Sequence, residues 1–160
     1  MRDAARAYRE SAVRGASPVG LIVILYEEVI RSMRKAQRAL ASGNIEERTH
    51  SLSHAIAVVG HLQGVLDFTK GGQVASDLAV FYDLTRGKML EANVRADDQI
   101  METVATEFAK IKEAWHAVDR EVTGQPAEPH EAREELVPAL ASASARRESG
   151  AAERSRSARS

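Results

Sequence analysis

Two Glu-x-x-His pairs are the residues of this sequence best suited to catalysis: Glu47 with His50, and Glu113 with His116. In di-iron helical-bundle proteins, two such pairs and a glutamate from each of two further helices bind the metals. Metal ligands must point into the bundle, and a helix turns by about 100° per residue. On that rotation both pairs fall on the outer faces of their predicted helices, roughly 20 Å apart along the bundle. We therefore predict no di-iron site.

Three histidines on one predicted helix are the second candidate for metal chemistry. His50, His54 and His61 lie within about 40° of each other on a helical projection. Histidines four residues apart can chelate a divalent ion, but no third ligand accompanies them, so we predict solvated side chains. Gly71-Gly72 lacks the lysine and the strand of a phosphate-binding loop. The sequence pairs no nucleophile with a base, and it predicts neither enzyme activity nor a bound metal or cofactor.

Apolar residues at helical spacing predict the four helices that would carry these side chains. Ser17-Pro18 is typical of a helix start, Gly43 of a helix end, Asn44 with Glu47 of a capping pair, and Asp97 or Asp98 of a further cap. We expect the second helix to end at Gly71-Gly72 and the fourth at Gly124. The four stripes are Ile22, Leu25, Val29, Met33, Ala36, Leu40; Leu52, Ala55, Val59, Leu62, Leu66; Val74, Leu78, Phe81, Thr85, Met89, Ala92; and Ile100, Val104, Phe108, Ile111, Trp115, Val118, Val122.

Short connections between long helices predict an all-α, antiparallel, up-down four-helix bundle over residues 17–124. Residues 1–16 form a short N-terminal arm, and residues 125–160, rich in Pro, Ala, Ser and Arg, are expected to be disordered. With 160 residues, no cysteine and a net charge of -1, the chain has no disulfides and no field to attract nucleic acid. The apolar runs are too short for membrane insertion. The expected partner is a protein.

Two predicted helices carry more apolar surface than a bundle core requires. Leu21–Leu25 is apolar around most of the first helix, and Val58 and Val65 lie off the core stripe of the second. Such surfaces mark interaction sites when they are not covered, although scattered single residues on a surface would also fit the pattern. Tyr8 and Val13 in the arm could cover the first helix near Ile24. An arm that can leave would act as a lid over a partner groove.

The order of these signals resembles the FliS family of flagellar secretion chaperones over roughly residues 7 to 116. The matching residues are Ala7-Tyr8, Ala16-Ser17-Pro18, Leu25-Tyr26-Glu27, Gly71-Gly72, Leu78, Phe81-Tyr82-Asp83, Leu90, Ala92-Asn93 and Trp115. The resemblance implies a cytoplasmic chaperone that binds the C-terminal segment of flagellin, prevents its premature polymerisation and delivers it to the type III export apparatus. Export gate components are then further partners. The resemblance does not extend to the tail from Pro126.

The resemblance and the apolar surplus together predict two sets of site residues. Tyr8, Val13 and Ile24 are expected to form the N-terminal lid. The flagellin groove is expected to draw on Val58, Leu62, Val65, Leu78, Phe81 and Tyr82. The rival interpretation is a signalling or dimerisation bundle, for example a phosphotransfer domain with His54 or His61 as the phosphorylated residue; a metal enzyme is a weaker rival.

Overall fold

The computed structural model describes residues 17–122, with side chains described to Arg120, and a few isolated residues before them (Ala4, Arg6, Ala7 and Gly15). Four α-helices make up this range: α1 Pro18–Ala41, α2 Ile45–Gly64, α3 Phe68–Arg95 and α4 Asp98–Val122. No strand occurs between residues 17 and 122. The predicted all-α fold class is confirmed. Apart from those isolated residues, the arm and the tail lie outside the described residues.

Both ends of α1 follow from local chemistry. The Ser17 hydroxyl accepts the Gly20 amide at 2.9 Å, and Pro18 follows as the first helical residue. At the other end, Gly43 adopts a left-handed conformation with φ of 72°. Its amide donates to the Leu40 carbonyl at 3.1 Å, which satisfies a carbonyl that the helix leaves free. The predicted start and stop of the first helix are confirmed.

The next two caps are also as predicted. The Asn44 side chain accepts the Glu47 amide at 3.0 Å at the start of α2. The Asp97 side chain accepts the Ile100 amide at 3.2 Å at the start of α4.

Between α3 and α4, Ala96 lies in the left-handed region with φ of 51°. A residue with a Cβ adopts this conformation at a cost in free energy.

The predicted end of the second helix at Gly71-Gly72 is wrong. Helix α2 ends at Gly64 instead, because Asp67 begins a new helix by accepting the Lys70 amide at 2.9 Å. The two-glycine step falls inside α3 and bends it, since Gly72 has φ of 50° and ψ of -126°. Helix α3 therefore consists of one short turn followed by a long helix.

Contacts between helices establish an antiparallel order. Lys35 pairs with Glu47 at 3.4 Å and Glu28 with His54 at 3.0 Å, so residue numbers rise along α1 as they fall along α2. The pairs of α4 with α1 behave in the same way, with Ser17 bonded to Asp119 and Arg34 bonded to Glu102. Helix α1 packs closely against both α2 and α4, whereas α3 packs less extensively against the same two helices.

Aromatic rings from three helices meet in the centre of the core. Tyr26 of α1 contacts Phe108 of α4 with ring centroids 5.1 Å apart, and it contacts Tyr82 of α3 edge to face at 6.3 Å. The two tyrosine hydroxyls share a buried hydrogen bond of 2.6 Å across the bundle. Large side chains that surround this centre include Val29, Met33, Leu52, Val59, Leu62, Leu78, Met89, Met101 and Ile111.

Candidate interaction surface

The six predicted groove residues do not share one surface. Val65 is 53% exposed, whereas the other five are buried in the core: Val58, Leu62, Leu78, Phe81 and Tyr82. The expectation that Val58 lies off the core stripe is wrong, because it is 9% exposed and its neighbour Val59 is fully buried. Helix α2 packs against both α1 and α3, so its buried arc is wider than one stripe.

Part of the apolar surplus at the start of α1 packs within the bundle. Val23 is buried, and Ile22 and Leu25 pack against the core. Leu21 and Ile24 are half-buried. Because α1 lies between α2 and α4, it needs a broad apolar arc. The two arm residues of the predicted lid, Tyr8 and Val13, lie outside the described residues, so a lid over Ile24 stays a prediction.

Exposed apolar surface is concentrated instead on the outer face of α3. Val80 is 51% exposed, Leu90 58% and Val94 87%, and Leu84 is half-buried beside them. Their spacing places these four residues, which we call the α3 stripe, within about 120° on the outside of the bundle. Gly87 lies in the middle of the stripe with open space above its Cα. A helix of a partner could approach closely there.

Two more exposed apolar side chains lie where α2 passes into α3. Val65 is 53% and Phe68 56% exposed, and we call this pair the α2–α3 corner. The Gln63 amide donates to Asp83 at 2.9 Å and holds the end of α2 against α3. That bond, followed by the nearby Arg86 guanidinium, lowers the pKa of the Asp83 carboxyl. The corner is therefore held in place by charge-assisted hydrogen bonds while its apolar groups face solvent.

Sequence reasoning missed the α3 stripe although a signal for it exists. The apolar residues of this helix were assigned to a single core stripe, of which Leu78, Phe81 and Met89 are members. Val80 and Val94 follow a second line, two heptads apart with Gly87 midway. A second apolar line on a helix already supplied with a core stripe is the signal of a surface kept for a partner.

An ion pair joins the two less extensively packed neighbours, α3 and α4. Glu107 is 4% exposed, and its Oε1 lies 3.6 Å from the ammonium of Lys88, whose side chain is partly exposed. A buried carboxylate is costly unless it is paired. The pair therefore favours the observed register of α3 on α4.

The residues considered for metal chemistry lie at the surface. His50 is exposed, the Glu113 side chain is 71% exposed, and Glu47 and His116 are partly exposed. Among the described residues, no group of three or more His, Asp or Glu side chains is placed to bind a metal ion.

One of the two histidines proposed for phosphotransfer lacks the required surroundings. His54 Nε2 lies 3.0 Å from a carboxylate oxygen of Glu28, where a phosphorylated histidine would need lysine and small residues. His61 is exposed at the end of α2.

No helix in the described part of the chain is long and apolar enough to cross a bilayer.

Comparison with known proteins identifies similar chains. The sequence model of the family "Flagellar protein FliS" matches residues 1–122. The flagellar secretion chaperone FliS of Salmonella typhimurium is 34% identical over 117 residues, which cover 72% of this chain and 87% of the relative. The FliS of Vibrio cholerae is 27% identical over 125 residues (76% and 92%), and the FliSB of Pseudomonas aeruginosa is 27% identical over 109 residues (68% and 86%).

Proposed function

The chain belongs to the FliS family, and from this premise we propose that it is a cytoplasmic chaperone for flagellin. In this role it binds the C-terminal segment of flagellin, prevents premature polymerisation and delivers the segment to the flagellar export apparatus. Family membership supports the chaperone role, because several relatives are named flagellar secretion chaperones. The choice of flagellin as client, and of export gate components as further partners, is part of the proposal.

The observation that carries the proposal is the exposed apolar line on α3. Val80, Leu90 and Val94 are each more than half exposed on a helix that already supplies its share of the core. A disordered client can place an apolar helical face on such a line, in the way amphipathic helices dock on grooves. Flagellin helices held there would be kept from packing on other flagellin subunits.

Because α3 packs less extensively than α1, the buried groove residues can still take part in client binding. Leu78, Phe81 and Tyr82 of α3 and Leu62 of α2 belong to the same buried core. We propose that the client first contacts the α3 stripe and reaches Val65 afterwards. The buried residues, Val58 included, become accessible to the client only when α3 moves outward.

Release for export follows from the energetics of a disordered client. Ordering an extended segment on the bundle costs conformational entropy, so affinity per unit of buried area stays low. No nucleotide is then required to release the client. A lid formed by Tyr8 and Val13 over Ile24 would compete with any part of the client that binds on α1.

Titration calorimetry with a C-terminal fragment of flagellin from the same bacterium tests the proposal. We expect saturable binding with a negative heat-capacity change, because apolar surface is buried. An N-terminal flagellin fragment of equal length is the matched control. If neither fragment binds, or if the N-terminal fragment binds equally well, the chain is not the chaperone proposed.

A further inference from the structure

Residues 123–160, beyond the match to the family, contain only three large apolar residues. All three, Leu136, Val137 and Leu140, fall within five positions. The rest of that region consists mainly of Ala, Ser, Arg, Glu, Gly and Pro. Apolar residues clustered in this way in a polar sequence are typical of a short binding segment, which folds or docks on an apolar surface. We call Leu136–Leu140 the tail segment.

The fold places an uncovered apolar surface near the point where the tail leaves the bundle. Helix α4 ends at Val122, and the bond of Asp119 to Ser17 puts that end beside the start of α1. In an antiparallel bundle, the end of α2 and the start of α3 lie at the same end. The α2–α3 corner, Val65 and Phe68, is therefore at the end of the bundle from which the tail departs.

The linker between Val122 and the tail segment has a length that suits this corner. Residues 123–135 contain Gly, Pro and many polar residues. By random-coil statistics, 13 residues span about 20 Å on average. Neighbouring helices in a bundle are about 8–10 Å apart, so the corner is within the mean reach of the linker. A tethered segment has a millimolar effective concentration when linker and span match, so a weak contact is enough.

We propose that the tail segment docks on the α2–α3 corner and covers Val65 and Phe68 with Leu136, Val137 and Leu140. The contact is intramolecular and needs no client. It gives the residues beyond the family match a role of their own, as a tethered cover for an apolar surface of the bundle.

Disulfide trapping tests the contact in the full chain, which has no cysteine of its own. Thr69→Cys combined with Ala139→Cys keeps both corner residues and all three apolar tail residues, and it is compared with Val94→Cys combined with Ala139→Cys. Thr69 and Val94 are both exposed and lie at opposite ends of α3. We expect the Thr69 pair to form its intramolecular disulfide at least about tenfold faster, as effective concentration falls steeply away from the docked geometry. Rates are normalised to the reaction of each thiol with glutathione disulfide.

Proximity alone would also favour the Thr69 pair, so a variant of the tail segment tests whether the apolar groups are required. Leu136→Ser with Leu140→Ser keeps the linker and removes the apolar groups, and it should abolish most of the rate advantage. Ala141→Ser with Ala143→Ser is the matched control and should leave the advantage unchanged. The proposal is overturned if the Leu136 and Leu140 variant keeps the advantage, if the disulfides link two chains, or if Thr69→Cys pairs faster with Val13→Cys in the arm than with Ala139→Cys.

Discussion

Tyr26 and Tyr82 join opposite helices of the bundle through one hydrogen bond. Their hydroxyls lie 2.6 Å apart, and both residues are almost fully buried. A buried hydroxyl without a partner costs about 1–3 kcal/mol, whereas two hydroxyls that satisfy each other cost little. The pair therefore favours the one arrangement of α1 and α3 in which both groups are bonded.

We predict that the contributions of the two hydroxyls to the free energy of unfolding depend on each other. Tyr26→Phe should lower the free energy of unfolding by about 1–2 kcal/mol, because the Tyr82 hydroxyl stays buried without a partner. Tyr82→Phe should act similarly, and the double variant should lose less than the sum of the two. Urea denaturation of all four proteins measures the coupling. Strictly additive losses would show that the hydroxyls do not depend on each other.

The same pair predicts alkaline unfolding. Burial raises the pKa of Tyr26 to about 12, and burial likewise raises the pKa of Tyr82, from ordinary values near 10. A raised pKa favours the neutral phenol in the folded state, so the associated stability is complete below about pH 10 and is lost as the pH rises towards the folded pKa values. In a Tyr8→Phe background, tyrosinate absorbance and the loss of helical circular dichroism should therefore coincide.

A variant without the buried hydroxyls is the control for that transition. Tyr26→Phe with Tyr82→Phe should unfold at a higher pH, because the groups linked to the transition are absent. Ionisation of both tyrosines while the helices stay intact would contradict the coupling of burial to pKa.

For the single helices, the capping residues could be predicted from the sequence. Which of two competing helix signals the folded protein uses could not. Ser17, Asn44 and Asp97 all cap the helices predicted for them. The end of α2 was misplaced because Asp67 also has a capping side chain, and local sequence does not decide between two competing signals. The glycine step became a bend inside a helix because the chain continues as helix on both sides of it.

A substitution at Ala96, between α3 and α4, should increase the stability of the protein. The residue has φ of 51° and ψ of 50°, a left-handed conformation that costs an alanine about 1 kcal/mol. We predict that Ala96→Gly raises the free energy of unfolding by about 0.5–1 kcal/mol, measured by urea denaturation.

The matched control for this change is Gly43→Ala. Gly43 ends α1 with φ of 72° and has open space where a Cβ would lie, so the substitution tests backbone conformation without a clash. It should destabilise the protein by a similar amount. A decrease in stability from Ala96→Gly would mean that the left-handed cap is not strained.

At the scale of the whole molecule, the sequence was enough to predict the bundle but not its surfaces. Short connections and one stripe per helix lead to the antiparallel order. Whether Val58 is core or groove depends on how many neighbours α2 has, and that follows only from the packing. The α3 stripe became visible because residues at two-heptad spacing, Val80 and Val94, were left uncovered by any described part of the chain.

We propose that the α3 stripe binds flagellin. The most direct measurement is the affinity of the full chain for the C-terminal flagellin fragment after Val80→Asp with Leu90→Asp. Both side chains are more than half exposed, so the bundle should stay folded by circular dichroism. Ala57→Asp, at an exposed position on α2, is the matched control. We predict at least about a hundredfold weaker binding for the stripe variant, since two charges would be buried against apolar groups. Unchanged affinity in the stripe variant, or an equal loss in Ala57→Asp, would contradict the claim.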